Sequence, residues 1–106
     1  MSTKLSGKKV AILVANGFEQ VEMTEPRKAL DDAGATTKLV SPIDEKVQGM
    51  KHDKPGDKFP VDIALNDADP ADYDALVLPG GVANPDSLRI NAEAVRFVKA
   101  FADAGK

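Results

Sequence analysis

The stretch Asp74-Ala75-Leu76-Val77-Leu78-Pro79-Gly80-Gly81 constrains the fold more than any other part of the chain. A short run that is apolar throughout suits a strand buried on both faces of a sheet, and the proline and glycines end it abruptly. Glycine at positions 80 and 81 lets backbone N–H groups approach a ligand with no Cβ in the way. In open α/β sheets, ligands bind outside the carboxyl ends of the strands. The sequence therefore points to Gly80 and Gly81, and to whatever other strand ends bring beside them, as the place where chemistry would occur.

The rest of the pattern fits an α/β class. Residues 10–15 (Val-Ala-Ile-Leu-Val-Ala) are a second continuous apolar run and predict a central parallel strand. Asn16-Gly17 breaks it, and Phe18-Glu19-Gln20-Val21-Glu22-Met23 leads into a helix. Pro26, Ala29, Leu30 and Ala33 share one helical face, and Gly34 stands where a glycine ends a helix. Pro26 leaves two readings open: a helix capped near Thr24, or one that starts near Glu19 and is kinked at the proline. Residues 36–40 predict a short strand, completing a right-handed βαβ unit. Val47-Gln48-Gly49-Met50, a Pro55-Gly56 turn, and the alternation of Phe59, Val61, Ile63 and Leu65 predict an antiparallel hairpin beside the main sheet. Asn66 through Asp74 reads as an acidic loop. Near the end, Asn91 is placed to cap a helix, with Ile90 and Val95 as a hydrophobic staple. Ala94, Phe97, Val98 and Phe101 form its apolar face and Gly105 its stop.

Composition narrows the function classes. In 106 residues, one domain is the upper bound. A net charge of −3 lacks the basic footprint of a nucleic-acid binder, and aromatic residues at 5% argue against base stacking. No apolar run approaches the length of a membrane span. The polar start of the chain carries lysines without a signal-peptide pattern, so a cytoplasmic location is expected. With no cysteine, this chain holds no disulfide, thiolate metal site or cysteine nucleophile. His52 is the single histidine and reads as a surface residue near the hairpin turn, so no metal site is expected, and no cofactor either. Asp62, Asp67, Asp69, Asp72 and Asp74 do not have calcium-loop spacing and read as a solvated face. The last predicted helix returns no strand to the sheet, and residues 75–78 at an open edge would invite aggregation. The chain therefore reads as the N-terminal portion, residues 1–106, of a larger α/β domain.

Ala15-Asn16-Gly17-Phe18-Glu19-Gln20-Val21-Glu22, followed by residues 74–81 and a helix ending Ala104-Gly105-Lys106, resembles the DJ-1/PfpI superfamily, and within it the PfpI branch of intracellular proteases and stress proteins. The resemblance runs from Lys8 onward. It implies a flavodoxin-like three-layer α/β sandwich with a mostly parallel sheet, incomplete in this chain. It also implies a reactive cysteine on a strand-to-helix elbow just beyond the glycine-lysine step at Gly105-Lys106. A glutamate at a position matching Glu19 or Glu22 would lie against that sulfur, and the N–H groups at Gly80 and Gly81 would form an oxyanion hole. A carboxyl beside a thiol can share its proton and so tune thiolate reactivity. Without the resemblance, the two glutamates would only complement the positive end of the following helix, and the glycines would only make a tight turn. Asn84, Asp86 and Arg89 could line the rim of the pocket, although Asn84 better suits a helix cap with Pro85 after it.

By this resemblance the complete protein is a cysteine-dependent hydrolase, either a peptidase or a glyoxalase/deglycase-like enzyme, acting on a peptide or small-molecule substrate. It is also implied to be a homo-oligomer, a dimer or higher. This chain alone, without cysteine, is not expected to be active. The alternative is a non-catalytic flavodoxin-like binding or association module. Against a phosphate-binding version, the loop after the first strand carries Glu19 and Glu22 where Gly, Ser or Thr donors would be wanted.

Overall fold

The computed structural model describes residues 6–43, 45–51, 54–79 and 92–105. Its centre is β1 (Lys9–Leu13), flanked by β3 (Thr36–Ser41) and β7 (Ala75–Val77). With β6 (Ile63–Ala64) they form a four-stranded sheet in the order β6-β3-β1-β7, every neighbour pair parallel. The run from β1 alternates between two cores. Ala11, Leu13 and Ala15 face one, while Ile12 and Val14 face the other, all essentially without solvent contact. A strand covered on both faces has no use for polar side chains, which is why the run is continuously apolar.

Helix α1 (Gln20–Asp32) covers one face with a second, three-stranded sheet made of β2 (Phe18–Glu19), β4 (Lys46–Lys51) and β5 (Lys54–Pro60), in the order β2-β4-β5. Phe18, Met23, Leu39 and Val47 close that core, with the Phe18 and Phe59 rings 5.9 Å apart. Helix α2 (Ala92–Asp103) covers the other face through Ala94, Phe97 and Phe101. Phe97 and Phe101 stand 5.0 Å apart, and each is 6.4 Å from the Tyr73 ring. The three-layer sandwich with a side hairpin is therefore as the sequence predicts.

Of the two readings of α1, the longer one holds: the helix starts at Gln20 and passes through Pro26 with one rung of its ladder missing. Gly34 and Gly105, at φ of +96° and +74°, end the two helices as expected. Arg27 ties α1 to the sheet. Its Nε donates to Thr37 Oγ1 at 3.1 Å and its Nη2 to Asp62 Oδ2 at 2.9 Å, while the Thr37 hydroxyl donates to Asp31 at 2.8 Å.

Three expectations need correction. The alternating run from Phe59 to Leu65 is not one strand. It breaks at Asp62, where the backbone N–H donates to Leu39 O (2.9 Å) and the carboxylate accepts from Leu39 N (2.7 Å). That exchange carries the chain from the side hairpin into the main sheet, so Ile63–Ala64 becomes an outer strand beside β3. Pro55-Gly56 is not the hairpin turn but part of β5, with Met50 opposite Pro55 and Lys51 opposite Lys54. Proline is tolerated there because β5 is the outer strand of its sheet. Finally, β7 is half-buried rather than buried, because among the described residues it has a strand neighbour on one side only.

The acidic stretch is also more than a solvated face. Asp69 caps a 3-10 turn by accepting from Ala71 N at 2.9 Å, and Asp74 accepts from Lys9 N at 2.8 Å. Among the described residues, no helix is long and apolar enough to cross a membrane.

Tyr73 is the single tyrosine. Burial, and then the Asp72 and Asp62 carboxylates, hold its phenol above the ordinary value of 10.0. The folded state thus keeps a proton that the unfolded chain releases. The resulting stabilisation is complete below the unfolded value and is lost as pH rises through the folded one. Ultraviolet titration should show phenol ionisation displaced upward in the native protein, and Tyr73→Phe should flatten the alkaline decline in stability.

Candidate functional site

The register of the main sheet brings two chain exits together. Val10, Ala11 and Ile12 stand opposite Ala75, Leu76 and Val77, so the chain beyond β1 and the chain beyond β7 leave the sheet side by side. The first exit leads through Asn16 and Gly17 to Glu19 and Glu22. The second leads through exposed Leu78 and buried Pro79 toward Gly80 and Gly81. Gly80, Gly81, Asn84 and Arg89 lie outside the described residues, as do His52 and the Ile90-Asn91 cap and staple.

Glu19 closes β2 and is the N-cap residue of α1, with extended backbone (φ −72°, ψ 118°) and no capping hydrogen bond from its side chain. It is half-buried. Glu22, in the first helical turn, is exposed. Three residues apart, the two lie on the same side of the helix near its positive end, where a carboxylate is favoured.

What holds this acidic turn is a set of polar side chains that the sequence reading did not single out. Asn16 Oδ1 accepts from Gln48 N at 2.9 Å, and Gly17 N donates to Gln48 O at 2.9 Å. Gly17 has φ of +92°, a conformation that suits glycine and lets the chain turn back from β1 into β2. The Gln48 side chain donates to Gly49 O (2.7 Å) and Gly56 O (2.9 Å) across an irregularity in the β4–β5 ladder. Gln20 makes a two-point contact with Asp57: its Nε2 donates to Oδ2 at 2.9 Å, and its Oε1 accepts from Asp57 N at 2.8 Å. The sequence did hold one signal for this, namely Gly49 inside the strand-like run at 47–50, since a glycine within a strand marks close approach of other groups.

Two clefts flank the turn. One, of about 310 Å³, runs between α1 and Phe59 and is lined by Met23, Arg27 and Asp31 among others. The other, of about 490 Å³, lies on the outer face of the hairpin between Asn16, Lys46, Gln48 and Lys58. Neither is lined by Glu19 or Glu22. Among the described residues, no group of three His, Asp or Glu side chains is placed to hold a metal ion.

A sequence model of the DJ-1/PfpI family matches residues 8–106. Uncharacterized proteins of Staphylococcus haemolyticus and Staphylococcus aureus are each 43% identical over 86 residues, which is 81% of this chain and 48% of theirs. The chain thus spans about half the length of the curated relatives it matches. Among solved structures, a two-domain protein of Anabaena variabilis with DJ-1/ThiJ/PfpI-like and ferritin-like domains superposes with a TM-score of 0.84 at 33% identity, over 93% of this chain and 28% of that one. A DJ-1 superfamily protein of Salmonella typhimurium, solved with a cysteine replaced by alanine, gives 0.82 at 32% identity over 93% of this chain and 52% of that one. Oxidized DJ-1 of Toxoplasma gondii gives 0.79 at 25% identity over 94% and 53%.

Loss of the Gln48 amide strips donors from two carbonyls at once. Gln48→Ala should lower stability by about 1–3 kcal/mol. Amide exchange should quicken in β4 and β5 well before it does in β1 and β3.

Proposed function

The chain belongs to the DJ-1/PfpI family, and on that premise we propose that it is the N-terminal portion of a single domain whose complete form is a cysteine-dependent hydrolase, a peptidase or a glyoxalase/deglycase-like enzyme. The observation that carries the reading is the side-by-side exit of β1 and β7. From that end of the parallel sheet the chain runs on toward the Glu19–Glu22 turn after β1 and toward Gly80 and Gly81 after β7. That two structural relatives were solved as a cysteine mutant and as an oxidized protein fits a cysteine-centred chemistry.

In this reading the nucleophile comes from outside these 106 residues, which contain no cysteine. Its thiolate attacks a carbonyl carbon of a peptide or reactive aldehyde. A C–S bond forms, and the carbonyl pair moves onto oxygen. Backbone N–H groups at Gly80 and Gly81 hold the oxyanion, and one such donor is worth roughly 10²–10³ in kcat. Glu19 or Glu22 takes up the thiol proton; with a peptide the C–N bond then breaks as that proton passes to the leaving amine and water cleaves the remaining thioester, and with an aldehyde the proton passes to the hemithioacetal oxygen. Asn84 and Arg89 would edge the substrate pocket. The working enzyme would be a cytoplasmic homo-oligomer with a role in stress, requiring no metal or cofactor.

A non-catalytic association role is the second reading, and the observation favouring it is β7. It is an outer strand among the described residues, with Leu78 51% exposed beside it.

Two experiments test this. The denatured mass of the protein isolated from its source should exceed 11.2 kDa, with a cysteine in the added portion. In that longer protein, either Glu19→Gln or Glu22→Gln should reduce kcat/KM by roughly 10²-fold or more. Full activity in both variants would remove the glutamates from the mechanism.

A further inference from the structure

Between the two candidate glutamates stands Gln20, which grips the hairpin through two hydrogen bonds. Its amide faces the Asp57 carboxylate and backbone N–H together, so the contact fixes both the position and the rotation of the side chain. The hairpin backbone is shaped to admit it. A Cβ on Gly56 would run into Gln20 Oε1, and one on Gly49 would come within 3.3 Å of Gln20 Cβ. At Gly56 the other atom near the missing Cβ, outside Gln20, is Lys51 Cγ at 3.2 Å, part of a flexible side chain. A side chain at position 56 would therefore displace the Gln20 amide from its place against Asp57. Gln48 completes the seat by holding the Gly56 carbonyl at 2.9 Å.

We propose that Gln20 is a positioning residue: by locking the start of α1 onto the hairpin through Asp57 and Gly56, it sets where the Glu19 and Glu22 carboxylates point. The consequence for catalysis rests on the function proposed above, whereas the lock itself does not. Two short backbone segments, β2 and the first turn of α1, carry the glutamates. β2 is already paired with β4 through Phe18 and Glu19, and Gln20 adds a side-chain tie where the helix begins. A misplacement of about 1 Å at a reacting group can cost 10²-fold in rate.

The test compares Gln20→Ala, Gly56→Ala, their combination, and the exchange variant Gln20→Glu/Asp57→Asn, in which carboxylate and amide trade places and two hydrogen bonds can re-form. Two readouts are taken on the intact protein: carbon-13 resonances of the Glu19 and Glu22 carboxyl groups, and kcat and KM separately. Gln20→Ala and Gly56→Ala should each move the glutamate resonances and lower kcat by roughly 10-fold to 10²-fold with little change in KM. Gly56→Ala should add nothing once Gln20→Ala is present, because the atom it strikes is gone, and the exchange variant should recover most of the loss. Glutamate resonances indifferent to Gln20→Ala, or a Gly56→Ala effect that persists in full in the Gln20→Ala background, would overturn the proposal. If the resonances respond but Glu19→Gln and Glu22→Gln both leave activity intact, the lock stands and the catalytic reading falls.

Discussion

Strand β1 is enclosed from four directions. β3 and β7 take its backbone hydrogen bonds on either edge, and the cores under α1 and α2 take alternate side chains on its two faces. Each other element is placed by reference to it. A strand so enclosed cannot shift register by one residue without exchanging its two sets of side chains between cores of different shape. Ala11 and Ala15 leave room for the aromatic side chains under α2, whereas Ile12 and Val14 fill the space against Phe18 and Met23. Fixing β1 also fixes the point where the chain leaves the sheet, and so the place of the acidic turn.

What the sequence revealed follows from that arrangement. Continuous apolar runs, the βαβ order and glycine helix stops are written locally, because burial on two faces and left-handed backbone each demand particular residues. The errors fell where partners distant in sequence decide the outcome. The break at Asp62 depends on a carboxylate meeting Leu39 N, 23 residues away, and nothing in the alternating pattern around it announces that partner. Pro55-Gly56 carries the chemistry of a turn, but Gly56 serves the approach of Gln20 instead. The half-buried state of β7 depends on how many strands flank it, which a strand's own residues do not encode.

The candidate site was legible in part for the same reason. Glu19 ends β2 and Glu22 lies in the first turn of α1, both shortly after β1, a placement that chain order alone suggests. The side chains that hold them could not. Gln20 and Asn16 are ordinary polar residues until the hairpin folds over them, and their partners Asp57 and Gln48 lie 37 and 32 residues away, while the Gln48 side chain bonds within the hairpin.

Loops that carry function gain precision by borrowing it from regular structure. Here the borrowing runs through side-chain amides that bond to backbone. Asn16 holds Gln48 N, Gln48 spans two hairpin carbonyls, and Gln20 takes the Asp57 N–H. Amides suit this work because one group offers both a donor and an acceptor and carries no charge of its own.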